Sequence, residues 1–160
     1  MTITSIPPLN LAPMLVIGAG IMGAGIAQVA AQAGHPVLLH DAREGAAAEA
    51  KTKLAKSLDA LVAKGKLTAD AVAQTLTRIT AVTAIEEAAP VRLVVEAIVE
   101  KLDVKRALFK QLEGIVATDC VLATNTSSIS VTAIANGLEH PERLVGMHFF
   151  NPVPLMKLVE

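Results

Sequence analysis

The stretch VIGAGIMGAG sets Gly18, Gly20 and Gly23 in the spacing G-x-G-x-x-G, directly after a short apolar strand and directly into a helix. Each glycine has a distinct use: the first permits a tight turn, the second lets backbone approach a pyrophosphate, and the third lets helix pack closely on strand. Ile21 and Met22 fall inside the motif, at the helix start, where free N–H groups and the positive end of the dipole favour an anion. Asp41 then closes the next strand, at the distance of about 20 residues expected for an acid that bonds the ribose hydroxyls of a dinucleotide. A carboxylate there repels a 2′-phosphate, which favours NAD over NADP; Arg43, two residues on, softens that preference without reversing it. The alternative is that the glycines serve packing and Asp41 is an ordinary loop acid. The ordered succession of strand, glycines, helix and acid favours the cofactor reading.

Other polar residues are ambiguous by type alone. His148 stands in an apolar run, GMHFFNPVPLMKLVE, that ends on Glu160; a lone histidine in such a setting is by default a hydrogen-bonded core residue. Ser127, in NTSS, could cap the following short helix, as could Ser128 or Ser130. Asn151 could be a turn residue before Pro152. Glu100 and Lys105 read as a helix-start acid and a solvated lysine.

The elements that carry these residues follow from composition and pattern. A chain of 160 residues is the size of one ordinary domain, and at 52 % hydrophobic but 2 % aromatic its core must be filled by Ala, Val, Leu and Ile. Net charge is −1, so no global field attracts nucleic acid or an anionic membrane surface. Cys120 is the single cysteine, which excludes disulfide stapling and a zinc cluster and fits a reducing compartment, with the cytoplasm as default. No metal site is expected. The charge-free stretch from Leu11 to Gly34 is long enough to span a bilayer, but its glycines, Gln28, Gln32 and Pro13, and the lack of a preceding Lys or Arg, argue against that.

Residues 1–12 are expected to form a loose arm ahead of one domain, 13–160. Strands are expected at Met14–Gly18, His35–Asp41, Ile79–Thr83, Arg92–Ala97 and from Cys120, with RLVGMHFF a further candidate; helices at Ile21–Ala33, from Arg43 to about Gly65, from the N-cap Thr68 to about Leu76, and at Lys101–Val116. Strands alternating with helices imply an α/β, Rossmann-type doubly wound, mostly parallel sheet, with a helical hairpin inserted after the second strand.

Together with the glycine fingerprint, VVEAIVEKLDVKRALFKQLE, ATNTSSIS and RLVGMHFFNPVPLMKLVE resemble the NAD-binding domain of the 3-hydroxyacyl-CoA dehydrogenase family, particularly its 3-hydroxybutyryl-CoA type, in the family's order from Met14 to Glu160. The resemblance implies NAD-dependent interconversion of (S)-3-hydroxyacyl-CoA and 3-oxoacyl-CoA. It implies that His148 exchanges the 3-hydroxyl proton, that Glu160 orients His148, and that Ser127 hydrogen-bonds the substrate oxygen near the nicotinamide. By the same resemblance Glu100, Lys105, Ser127 and Asn151 contact the cofactor, and Ser57 and Lys64, on the hairpin, contact coenzyme A. Between Glu49 and Lys66 five lysines face only Glu49 and Asp59, an excess of three positive charges that suits the phosphates of CoA.

The family continues beyond these motifs with a helical domain that supplies dimer contacts and part of the acyl-CoA site. The expectation is therefore an excised or truncated cofactor-binding half that folds by itself but lacks part of the cleft, so that the isolated domain loses activity and the whole protein is a homodimer. Two other readings stay open on sequence: a non-catalytic dinucleotide-binding module, and a dehydrogenase of a small hydroxy acid.

Overall fold

The computed structural model describes residues 11–160. The expected arm lies outside the described residues except for Leu11 and Ala12, where the Ala12 carbonyl sits 3.0 Å from His35 Nδ1. Six strands, β1 (Met14–Ile17), β2 (Val37–His40), β3 (Ile79–Val82), β4 (Leu93–Glu96), β5 (Val121–Thr124) and β6 (Leu144–Gly146), form one sheet. All pairings are parallel, in the order β3-β2-β1-β4-β5-β6. The order reverses between β1 and β4, and the crevice at the carboxyl ends of these two strands is where such sheets bind dinucleotides.

The helices are α1 (Ile21–Gln32), α2 (Ala46–Ala63), α3 (Ala69–Arg78), α4 (Leu102–Glu113) and the short α5 (Val131–Ala135). β1 is buried at all four positions because it is covered on both faces. Met14 and Val16 pack with Ile26, Ala27 and Ala31 of α1 and Ala47 and Ala50 of α2. Leu15 and Ile17 pack instead with Phe109 and Leu112 of α4 and Ile134 of α5. The two-residue alternation of the strand thus splits one apolar run between two helical layers.

Sequence signals place the helix ends. Thr68 caps α3, its hydroxyl accepting from the Ala71 N–H (3.2 Å), and Ser130, not Ser127, caps α5 through the Ala133 N–H (3.3 Å). α2 and α3 form the inserted hairpin. Two expectations need correction. α2 starts at Ala46 rather than Arg43, since the preceding turn ends in Gly45 at φ 78°. The RLVGMHFF strand stops at Gly146; beyond it a separate bridge pairs Phe149 antiparallel with Val159.

The fingerprint glycines divide by role. Gly18 has φ 101°, and a Cβ there would lie 2.3 Å from the Ala97 carbonyl oxygen; a Cβ at Gly23 would lie 1.7 Å from the Gly18 carbonyl oxygen. Both contacts are with backbone, so neither can relax cheaply. A Cβ at Gly20 would meet nothing within 4 Å. Gly25 lies outside the motif, yet a Cβ there would come within 2.8 Å of Val153 Cβ, so it too is needed for the proline loop to lie against α1.

A buried ionic group ties the carboxyl ends of β4 and β5 to α4. Glu96 and Lys105 are 0 % and 1 % exposed, and Lys105 Nζ lies 2.5 Å from Glu96 Oε1 and 3.3 Å from Glu100 Oε2. Thr124 Oγ1 donates to Glu96 Oε2 (2.7 Å) and the Ile98 N–H to Glu96 Oε1 (2.7 Å). Glu100 Oε1 accepts from the Thr126 hydroxyl, the N–H groups of Ser127 and Ser128 (3.2 Å each) and the Ser128 hydroxyl (3.1 Å). Burial pushes the Glu100 carboxyl up, but the Thr126 hydroxyl, the Ser128 N–H and the Lys105 ammonium together hold it down, to about 2.

Two outcomes follow. Gly23→Ala should lower unfolding free energy by about 3 kcal/mol or more, measured by urea denaturation. Because the folded Glu100 carboxyl lies below its ordinary 4.5, its contribution is complete above that pH and lost as pH falls toward 2. Thermal midpoints should therefore fall over this range by less in Glu100→Gln than in the wild-type chain.

Candidate functional site

The turn between β1 and α1 opens the site. α1 has Gly20 as N-cap with no side-chain cap, so its first N–H groups face outward as anion donors. Asp41, just past β2, accepts from the Ala19 N–H at Oδ2 (2.7 Å) and from the Arg43 N–H at Oδ1 (2.8 Å). An ionised carboxylate has about four acceptor positions, so two stay free for a ribose diol. Between Asp41 and α4 lies a cavity of about 580 Å³, lined by Ile85, Val99, Val104 and Leu108 together with Gly18 and Gly20. Its apolar walls match a flat heterocycle, and the open space at Gly20 is where backbone can approach a pyrophosphate. The residues present therefore fit NAD.

Ala97 and Ile98, which line this cavity, also line the one that holds the catalytic candidates. A second cavity, about 360 Å³, is lined by Met22, Glu100, Lys105, Ser127, His148 and Asn151, among others. Six of the residues expected at the cofactor or at the reacting centre thus line one cavity. Lys105 corrects the residue-type reading of a solvated lysine: it is buried and paired. Ser127 is exposed and its hydroxyl is not spent on capping α5, which Ser130 does.

His148 is held by backbone as well as side chain. The His148 N–H donates to the Glu160 carbonyl (2.8 Å) and the Glu160 N–H to the His148 carbonyl (3.0 Å). This reciprocal pair sets Nδ1 of His148 3.4 Å from Glu160 Oε2, which leaves Nε2 as the outward nitrogen. That separation is longer than a formed hydrogen bond, as is common for catalytic pairs without ligand. Phe150 packs against the imidazole at 4.6 Å between ring centroids. The carboxylate side chain is 64 % exposed and the imidazole 29 %.

Ser57 and Lys64 separate. Ser57 lines a third cavity, about 380 Å³, between α1, α2 and the proline loop, with Lys53, Gly20, Asn151 and Pro152. Lys64 is the exposed residue that ends α2 and does not line it. Lys53, one turn before Ser57 on α2, lines this cavity with it.

Sequence reasoning also missed Asn125 and Glu96. Asn125 Oδ1 accepts from the Phe149 N–H (2.8 Å), pinning the histidine segment to the end of β5. Its signal was faint, one amide in a polar turn. Glu96 carried a stronger one, a charged residue inside the apolar run LVVEA, which demands a buried partner. Among the described residues no group of three or more His, Cys, Asp or Glu side chains could hold a metal ion, and no helix is long and apolar enough to cross a membrane.

Comparison with known proteins agrees with this geometry. Residues 14–160 match the family model for the 3-hydroxyacyl-CoA dehydrogenase NAD-binding domain. The chain is 50 % identical over 152 residues to 3-hydroxyadipyl-CoA dehydrogenase of Escherichia coli K12, covering 95 % of this chain and 32 % of that protein. It is 52 % identical over 145 residues to a probable 3-hydroxybutyryl-CoA dehydrogenase of Deinococcus radiodurans, covering 91 % of this chain and 52 % of that protein. The crystal structure of 3-hydroxybutyryl-CoA dehydrogenase from E. coli K12 superposes with a TM-score of 0.91 at 50 % identity, over 94 % of this chain and 32 % of that one. The chain thus spans between a third and about half the length of these relatives. With a parallel sheet in the dinucleotide-binding order, a glycine turn open at Gly20 and the match from Met14 to Glu160, this chain belongs to the 3-hydroxyacyl-CoA dehydrogenase family, as its NAD-binding domain.

Proposed function

We propose that the chain is the cofactor-binding and proton-transfer half of an NAD-dependent dehydrogenase that oxidises (S)-3-hydroxyacyl-CoA to 3-oxoacyl-CoA and catalyses the reverse reduction. The observation that carries the reading is the convergence of His148, Ser127, Glu100 and Met22 on one cavity that includes Ala97, whose carbonyl lies against Gly18 of the glycine turn. When bound, NAD supplies the hydride acceptor.

The chain's own residues do the rest. The uncapped start of α1 holds the pyrophosphate, and Asp41 takes the ribose hydroxyls. Ser127 donates to the substrate's C3 oxygen. His148 Nε2 accepts the hydroxyl proton as the C3–H bond breaks and its electron pair leaves as hydride, so the C–O bond becomes a carbonyl. Glu160, facing Nδ1, fixes the neutral tautomer with the proton on Nδ1 and then stabilises the imidazolium. In the reduction, the same imidazolium returns its proton to the oxygen.

CoA recognition by the Ser57 and Lys53 cleft fits the positive excess over residues 49–66, which covers most of α2 and the turn after it. Lys64, at the C-cap of the same helix, adds a further positive charge for the CoA phosphates. Cytoplasmic residence accords with the buried free thiol of Cys120, and a homodimer built through a second, helical domain accords with the greater length of the relatives.

NADH oxidation with acetoacetyl-CoA, followed by absorbance with NADPH in parallel, tests the reaction class. His148→Gln in the complete enzyme should lower turnover by roughly 10²–10⁴ while NADH affinity holds; near-normal turnover would remove His148 from the mechanism. Gly20→Ala should leave the unfolding midpoint unchanged yet weaken NADH binding about tenfold or more, measured by calorimetry, because only the ligand competes for that space.

A further inference from the structure

The space beyond Asp41 does not exclude a larger cofactor. A cavity of about 640 Å³ adjoins the ribose side, sharing His40, Asp41 and Ala42 with the cavity beside α4 and continuing between the start of α2 and residues 81–86. A 2′-phosphate would find room there, so discrimination between NAD and NADP must come from charge rather than shape. Asp41, Glu44 and Glu86 line this space, and Arg43 is its one lysine or arginine. An arginine next to the ribose-binding acid is the residue type that ordinarily accepts a 2′-phosphate.

Here that arginine is already engaged. Its guanidinium makes a two-point contact with Glu49 on the first turn of α2, Nη1 to Oε1 at 3.1 Å and Nη2 to Oε2 at 2.7 Å. Only the backbone N–H of Arg43 reaches Asp41. The paired hydrogen bonds and opposite charges hold the Glu49 carboxyl below its ordinary range and the guanidinium above its own, so both are charged at every physiological pH. Planar two-point geometry distinguishes this pair from a loose surface contact, although both side chains are exposed.

We infer that Glu49 is a cofactor-specificity residue: by holding the Arg43 guanidinium it withholds the cation that a 2′-phosphate would use beside Asp41, and so enforces NAD over NADP. The inference rests on the proposal that Asp41 receives the ribose hydroxyls. Glu49 acts through Arg43 and touches no part of the reacting centre. A phosphate competing for Arg43 must first displace Glu49, and its apparent affinity falls by the fraction of time the arginine is free.

Calorimetric titration of the 160-residue chain with NADPH and NADH tests this in the wild type, Glu49→Gln and the double variant Glu49→Gln/Arg43→Ala. Glutamine keeps helix propensity at an exposed site, and retained NADH binding reports that the variant is folded. NADPH affinity should rise roughly fivefold in Glu49→Gln, with NADH affinity within about twofold of wild type, and the gain should vanish in the double variant. An unchanged NADPH affinity in Glu49→Gln would overturn the inference, as would a gain that persists without Arg43, which would mean that loss of the Glu49 charge alone is responsible. Failure of the wild-type chain to bind NADH would overturn the cofactor site and the inference with it.

Discussion

The buried Lys105–Glu96 contact is the constraint on which the rest of the site depends. Two opposite charges taken out of water cost several kcal/mol each unless their mutual attraction and further hydrogen bonds offset it, and removing one partner alone typically costs 3–5 kcal/mol. Here the offset is nearly complete. Glu96 takes three donors, and Lys105 reaches a second carboxylate, Glu100. Three elements that share little sequence, the end of β4, the first turn of α4 and the end of β5, are thereby fixed to one point. Glu100 carries the constraint outward, because it gathers the N–H groups of Ser127 and Ser128 and the hydroxyls of Thr126 and Ser128.

The histidine segment is fixed to the same edge by different means. Asn125 holds the Phe149 backbone, Val153 seats on Gly25 of α1, and the reciprocal backbone pair between His148 and Glu160 closes the loop. A sheet of parallel strands delivers all its carboxyl ends to one side, so residues far apart in sequence meet there without long loops. The glycine motif contributes Met22 to the same cavity. Orientation of this kind, established before ligand arrives, is what the proposed proton transfer beside a bound dinucleotide requires.

Much of this was legible in the sequence, for physical reasons. Apolar runs covered on both faces read as buried strands, Thr68 and Gly34 marked helix ends, and the spacing of Gly18, Gly20, Gly23 and Asp41 carried its own mechanism. Specific motifs at the C-terminal end gave the family, and with it His148, Ser127 and Glu160. What was not legible depended on partners distant in the chain. Lys105 reads as solvated until Glu96 and Glu100 are found beside it. RLVGMHFF has strand composition throughout, but backbone hydrogen bonding to β5 ends with the Met147 N–H on the Thr124 carbonyl, and His148 and Phe149 turn to pair with Glu160 and Val159 instead.

The central claim is that the polypeptide itself preassembles this edge, through a buried charge pair whose influence reaches an exposed loop. Amide hydrogen exchange of the ligand-free chain tests it most directly, read at the Ser127 and Ser128 N–H groups. These lie in an exposed turn and would exchange at the rate of an unstructured peptide unless Glu100 holds them. The account predicts slow exchange at both in the wild type and loss of that protection in Lys105→Met, with the amides of β1 still protected. Fast exchange at Ser127 and Ser128 in a folded wild-type chain would contradict it.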